Sequence, residues 1–242
     1  MATKIFDETE VNYTGTSNSD IIVGNDLANT IDGGAGDDII AGLGGDDFIV
    51  GGSGNDVIAG GDGNDFILTG SMDGTNNTGD NVISGGSGND NIFTGTGDDI
   101  ISGGSGNDII LSEGGNNIIH GGSGNDNIAS GDGDDIINGG DGNDDIYAGV
   151  GDDILSGGDG SDYIEGQGST AGDETVNGNL YHVTSEDVLI GGDGNDTFVV
   201  SNEFEESTII QGGVSAQDSS GNAARYVDLN ESASFRRSRL RR

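Results

Sequence analysis

A nine-residue period limits what this chain can become. From Gly15 onward it repeats the pattern G-G-x-G-x-D-x-U-x, where U is a large apolar residue. Nine copies keep all three glycines and the aspartate, beginning at Gly33, Gly51, Gly60, Gly85, Gly103, Gly121, Gly139, Gly157 and Gly191. Nine more are degenerate, which makes 18 repeats between Gly15 and Val199. The U positions are Ile22, Ile31, Ile40, Ile49, Ile58, Ile67, Ile83, Ile92, Ile101, Ile110, Ile119, Ile128, Ile137, Ile146, Leu155, Ile164, Leu189 and Phe198, and none is polar. So short a unit cannot bury its own apolar side chain. It must stack on copies of itself and build a core by repetition.

The unit divides into a turn and a strand. Its first six residues, such as Gly51-Gly52-Ser53-Gly54-Asn55-Asp56, are unsuited to a helix and poor material for a strand. Glycine accepts positive φ, so the backbone can turn tightly and aim consecutive carbonyl oxygens into one pocket. The aspartate adds a hard anionic oxygen at the mouth of the next strand. The last three residues form that strand, with U pointing inward and its neighbours outward. Calcium takes six to eight oxygen ligands at about 2.3–2.6 Å, more than one such turn supplies but within reach of two stacked turns.

These motifs resemble the calcium-binding nonapeptide repeats of the RTX (haemolysin-type) proteins along about three quarters of the chain. The resemblance implies an all-β, right-handed parallel β-roll of about nine 18-residue coils, with two repeats per coil, two parallel sheets and calcium bound in the inter-strand turns. It also implies export. RTX proteins pass unfolded through a type I channel, directed by an uncleaved C-terminal signal, and fold outside the cell in the presence of calcium. The expected partners are calcium ions and a type I secretion apparatus, and the expected location is extracellular.

Two interruptions break the phase. Ile67 to Ile83 spans 16 residues, one period plus an insertion of seven near 71–77; Ile164 to Leu189 spans 25, leaving about 16 extra residues near 167–186. The repeat blocks are six, ten and two units long, all even, so both insertions leave from one edge of the roll. This divides the chain into a lead-in at 1–14, a roll at 15–199 and a non-repeat tail at 200–242. The even count also separates two outer surfaces. Before each U residue, odd repeats carry Ile21, Ile39, Val57, Val82, Ile100, Ile118, Ile136, Ile154 and Val188, all β-branched aliphatics. Even repeats carry Thr30, Phe48, Phe66, Asn91, Ile109, Asn127, Asp145, Tyr163 and Thr197. Two unlike sheets follow, one bearing an aliphatic stripe suited to self-association or to docking a partner. Phe198, Val199, Val200 and Phe204, followed by Ile209 and Ile210, are candidates to cover its final coils.

Charge explains why such a roll needs cations. Between Ile5 and Ala224 the chain has 42 acidic side chains and no Lys or Arg, within a whole-chain formal charge of -37. Ion pairing within the chain cannot neutralise this segment, so it stays expanded or folds around bound cations. The same charge disfavours a nucleic-acid partner, since the body of the protein repels phosphate. Without cysteine there is neither a disulfide staple nor a thiolate metal site. No apolar run approaches the length of a transmembrane segment, and residues 1–12 lack the pattern of a cleaved signal peptide.

The expected side-chain ligands are the sixth-position aspartates: Asp20, Asp38, Asp47, Asp56, Asp65, Asp90, Asp99, Asp108, Asp126, Asp135, Asp144, Asp153, Asp162, Asp187 and Asp196. Three repeats carry Asn29, Asn81 and Asn117 instead, whose neutral carbonyls predict weak or vacant sites, and the irregular Ser112-Glu113-Gly114-Gly115 turn predicts a soft point in mid-roll. A fifth-position role for Asn89 or Asp98 is left open.

Nothing here reads as an enzyme. The histidines are His120, at an outward ninth position, and His182, in the second insertion; no G-x-S-x-G or H-E-x-x-H pattern occurs. The carboxylate pairs are accounted for by calcium ligation. The expectation is a secreted, non-catalytic repeat protein that folds on calcium binding and acts as a structural or adhesive module. The alternative is the C-terminal module of a larger secreted enzyme or toxin. The basic run from Phe235 to Arg242 is atypical of a type I secretion signal.

Overall fold

The computed structural model describes residues 1–70, 77–167, 188–193, 197–200 and 209–211. It is an all-β parallel solenoid. Among the described residues, the nine odd-repeat strands with two flanking strands form one sheet of 11, and the nine even-repeat strands with one flanking strand form a second sheet of 10, every pairing parallel. The register is the coil repeat. Ile100 pairs with Ile118 and Ile118 with Ile136, each 18 residues apart in the chain. Where an insertion intervenes the register absorbs it whole: Ile58 pairs with Ile83, and Leu155 with Leu189.

This spacing puts the U residues in line. Sixteen of them, from Ile22 to Ile164, are no more than 2% exposed and stack into a core one side chain wide. Leu189 and Phe198 hold the matching register positions opposite Leu155 and Ile164. The outward row before them on the odd sheet is aliphatic and half-exposed, with Ile39, Val57, Val82, Ile100, Ile118, Ile136 and Ile154 at 45–50%. The even sheet instead stacks rings on its outer surface, Phe48 on Phe66 at 5.2 Å and Phe66 on Phe93 at 5.1 Å between centroids.

Two segments beyond the repeats also join the sheets. Thr3–Ile5 pairs with Ile21–Val23 and Asn12–Thr14 with Thr30–Asp32, so residues before Gly15 already trace a coil. Phe6 is buried in the core there, Tyr13 packs against it, and Lys4 makes an ion pair with Glu10. At the other end Ile209–Gln211 pairs with Val188–Ile190 and lengthens the odd sheet in its own plane. The tail isoleucines therefore extend the sheet at these positions rather than lying across its aliphatic face. A strand with free ladder groups offers a more complete set of hydrogen bonds than a flat apolar surface does.

Both insertions follow even-sheet strands, Phe66–Leu68 and Tyr163–Gln167, and precede odd-sheet strands, Val82–Ser87 and Val188–Asp193. The insertions themselves fall almost wholly outside the described residues, and the strands that bracket them are joined across the same edge of the roll. We call this the far edge. The near edge carries the turns that lead from odd to even strands.

Candidate metal centre

The turns place the sixth-position residues in two buried columns. Asp38, Asp56, Asp99, Asp135 and Asp153 lie on the far edge with Asp20 at its start, interleaved with Asn81 and Asn117. Asp47, Asp65, Asp90, Asp108, Asp126, Asp144 and Asp162 lie on the near edge, after Asn29. Asp187 and Asp196 fall outside the described residues, as does His182.

Each carboxylate has two distinct oxygens. Its Oδ1 accepts the backbone N–H of the sixth residue one coil earlier. On the near edge Asp90 N–H donates to Asp108 at 2.8 Å, Asp108 to Asp126 at 2.8 Å and Asp126 to Asp144 at 2.9 Å. On the far edge Asp20 N–H donates to Asp38 at 2.7 Å and Asp38 to Asp56 at 2.9 Å. The aspartate is thus first a backbone partner, which satisfies an amide that would otherwise be buried without one. Asn81 and Asn117 do the same: Asp56 N–H donates to Asn81 Oδ1 at 2.9 Å and Asp99 N–H to Asn117 Oδ1 at 3.0 Å, so the column runs unbroken through the irregular Ser112 turn.

The other oxygen is the candidate ligand. Oδ2 of Asp38, Asp47, Asp56, Asp65, Asp90, Asp99, Asp108, Asp126, Asp135 and Asp144 is buried and has no hydrogen-bond partner. It stands over the first glycine of its own turn: a Cβ built on Gly33 or Gly51 would lie 2.5 Å from Oδ2 of Asp38 or Asp56. A Cβ on Gly104 or Gly106 would overlap the carbonyl oxygen of Gly86 or Gly88 one coil away. Successive turns therefore bring hard oxygens, carboxylate and carbonyl, into one narrow column, a donor set that fits calcium. Asp20 differs, because its Oδ2 accepts both the N–H and the hydroxyl of Thr16 at 2.7 Å.

Electrostatics mark the same atoms. Burial pushes the carboxyls of Asp47 and Asp90 up to about 7 and those of Asp38, Asp56 and Asp126 to about 6. Neighbouring carboxylates in the column add to the rise at Asp38, Asp47, Asp90 and Asp126, while the backbone N–H bond opposes it. Asp20 is held below its usual range, chiefly by Ala2 N–H and then by the Thr16 hydroxyl.

Fifth-position residues form a separate, exposed ladder that runs the opposite way. Asn107 N–H donates to Asn89 Oδ1 at 2.6 Å, and Asn116 N–H to Asp98 Oδ1 at 2.7 Å. Those side chains tie coil to coil on the outside of the turn. Among the described residues no three His, Cys, Asp or Glu side chains converge on one point. A cation site here is accordingly built from backbone carbonyls and the carboxylates of stacked turns. His120 is on the surface, with Nδ1 3.3 Å from the Asn138 carbonyl oxygen. A groove of about 480 Å³ on the even sheet is walled mainly by Phe66, Leu68, Phe93 and Leu111.

A family model of the RTX calcium-binding nonapeptide repeat, which spans 4 copies, matches residues 14–49, 42–71, 75–110, 111–146, 138–169 and 168–201. The chain belongs to the RTX calcium-binding nonapeptide repeat family. The matched segments run through all three repeat blocks, and Asp38, Asp108 and their equivalents occupy the aspartate position of the RTX pattern. No curated protein matches the chain.

Proposed function

We propose that this RTX chain is an extracellular calcium-binding module whose roll forms as the ions bind, and that it serves as a structural or adhesive scaffold rather than a catalyst. The observation that carries the reading is the column of buried carboxylate oxygens without hydrogen-bond partners. Buried charges persist only when paired or metal-bound, and the chain has no Lys or Arg between residues 5 and 224 to pair them. The residues that would hold the ions are the sixth-position aspartates, with carbonyl oxygens of the glycine turns completing the set. Bound calcium supplies the positive charge that this segment lacks. Asp187 and Asp196 are included by their place in the repeat.

The extracellular placement rests on the family and on the calcium supply outside cells. A type I apparatus is the export route that goes with it. The non-catalytic reading rests on a side-chain inventory in which the carboxylates already have a task. The test is equilibrium dialysis against calcium combined with far-ultraviolet circular dichroism. Retained calcium together with a cooperative gain of β signal supports the reading, with magnesium a poor substitute because it resists irregular sites of many carbonyls. A full β spectrum in chelator, with no calcium retained on dialysis, would refute it.

A further inference from the structure

The outer surface of the odd sheet is unlike the rest of this chain. Its strands from Ile21–Asn25 to Ile154–Asp159 turn their seventh and ninth repeat positions outward, and none of these positions holds Asp, Glu, Lys or Arg. The same positions on the even sheet include Asp32, Asp145 and Glu165. In a chain with 44 acidic residues out of 242, a whole face without one is the reverse of what solubility favours.

The face also has relief. Its seventh positions form a β-branched ridge from Ile39 to Ile154, half-exposed along its length. Its ninth positions form a parallel trough of small residues, Ala41, Ala59, Ser84, Ser102 and Ser156. Register keeps the two rows apart: Val57 pairs with Val82 while Ala59 pairs with Ser84, and Ile136 pairs with Ile154 while Asn138 pairs with Ser156. His120 and Asn138 are the larger members of the trough and mark where it is shallowest. Ridge and trough are two residues apart along each strand, about 7 Å.

Among the described residues nothing lies over this face. The tail strand Ile209–Gln211 adds to the edge of the sheet, and the ridge stays 45–50% exposed from Ile39 to Ile154. Eight strands about 4.8 Å apart, most of six residues at about 3.3 Å each, give a face of roughly 700 Å². That approaches the ~800 Å² per partner of a stable interface.

We propose that the odd face is the interface of a calcium-dependent homodimer, in which a twofold axis parallel to the roll sets the ridge of each copy into the trough of the other. Rotation about that axis reverses strand direction, so ridge meets trough, while the two rolls stay parallel and each coil faces the same coil of its partner. A twofold axis along the strands would instead set ridge on ridge and run the rolls antiparallel. A second copy is the occupant because the surface is its own complement under the first rotation, and such an isologous contact closes at two copies. The proposal rests on the calcium reading above: the face exists only in the folded roll, and bound cations reduce the repulsion between two acidic chains.

The test is sedimentation velocity of the full chain at tens of micromolar in calcium, with circular dichroism on the same samples. Wild type is expected at twice the chain mass. The double variant Ser84→Asp, Ser102→Asp puts charge into the trough and is expected to be a folded monomer. Asn91→Asp, Asn127→Asp adds the same charge to the even sheet and is expected to remain dimeric. Orientation is read by spin-label distances, since a chain without cysteine allows Val23→Cys and Ser156→Cys to be labelled singly. In the parallel dimer both labels face their counterparts across sheets about 10 Å apart, and both distances fall below about 25 Å. In an antiparallel dimer at least one pair lies about 34 Å apart or more, because seven strand spacings separate the two sites. A folded wild-type monomer, an assembly larger than two, or a dimer that the trough variant leaves whole overturns the proposal and leaves the calcium reading intact. A long label distance overturns the ridge-in-trough arrangement. A chain that gains no β signal in calcium overturns both readings. Should the trough variant fail to fold, the wild-type mass and the label distances decide.

Discussion

Truncating Ile119 to alanine measures how tightly the one-residue-wide core is tied to the ions. Ile119 is 1% exposed and lies in register between Ile101 and Ile137, which are themselves buried. The substitution removes three of its four side-chain carbons. Backbone ladders hold the coils at a fixed spacing, so the gap closes poorly, and the cost falls in the range of about 2–5 kcal/mol. If on the order of eight ions bind in one cooperative step with folding, that cost spreads over all of them. At roughly 1.4 kcal/mol per tenfold in concentration, the calcium midpoint rises by about 0.2–0.5 log units, or about 1.5- to 3-fold. The assay is a calcium titration followed by circular dichroism, with Ile118→Ala as its control. Ile118 is the adjacent outward residue, 49% exposed, and its truncation shifts the midpoint by no more than about 1.2-fold. An unchanged midpoint for Ile119→Ala, or a larger shift for Ile118→Ala, refutes the inward assignment. A shift of tenfold or more refutes coupling to many ions.

Gly104 has φ +117, and a Cβ there would overlap the Gly86 carbonyl, so Gly104→Ala costs about 1–3 kcal/mol and raises the calcium midpoint in the same titration. Leu43 is the converse case: it has φ 81 where the next coil has Gly61, and Leu43→Gly lowers the midpoint. Calcium-free protein should respond to acid. Asp38, Asp47, Asp56, Asp90 and Asp126 have folded-state values of about 6 to 7, above the ordinary 3.8, so the roll binds more protons than the unfolded chain. Their contribution to stability is present below about pH 4 and is lost as pH rises through 6 to 7. Dialysed protein therefore gains β signal between pH 7.5 and 5, and a loss of signal over that range contradicts the assignment. In calcium, the aliphatic stripe associates in sedimentation velocity, and the triple variant Ile100→Asp, Ile118→Asp, Ile136→Asp sediments as a folded monomer. If both are monomeric, the stripe serves the sheet alone.

The core was legible because a period of nine keeps the eighth position apolar throughout, and the two-repeat coil that the RTX resemblance implied lines up Ile101, Ile119 and Ile137. The two outer surfaces were legible for the same reason, since two repeats per coil send Ile118 and Asn127 to different sheets. The buried aspartates could be named from their place in the repeat, but not the division of labour between their oxygens. The amide that Asp108 Oδ1 accepts belongs to Asp90, 18 residues away, and that pairing exists only once coils stack. Asn81 and Asn117 looked like weakened ligands. Their Nδ2 groups also donate to the Gly79 and Gly115 carbonyls, a role that composition alone does not suggest. The in-plane strand at Ile209–Gln211 was hidden because it follows no nine-residue phase.

Hydrogen–deuterium exchange of the full chain, read by mass spectrometry in calcium and again in chelator, tests most directly whether folding and metal binding are one event. In calcium, peptides covering Ile100–Ser105, Ile118–Ser123 and Ile136–Asp141 should be protected together, since their ladder bonds form as a unit. In chelator at neutral pH the same peptides should exchange at the rate of an unfolded chain. Equal protection of these strands in both conditions would contradict the account.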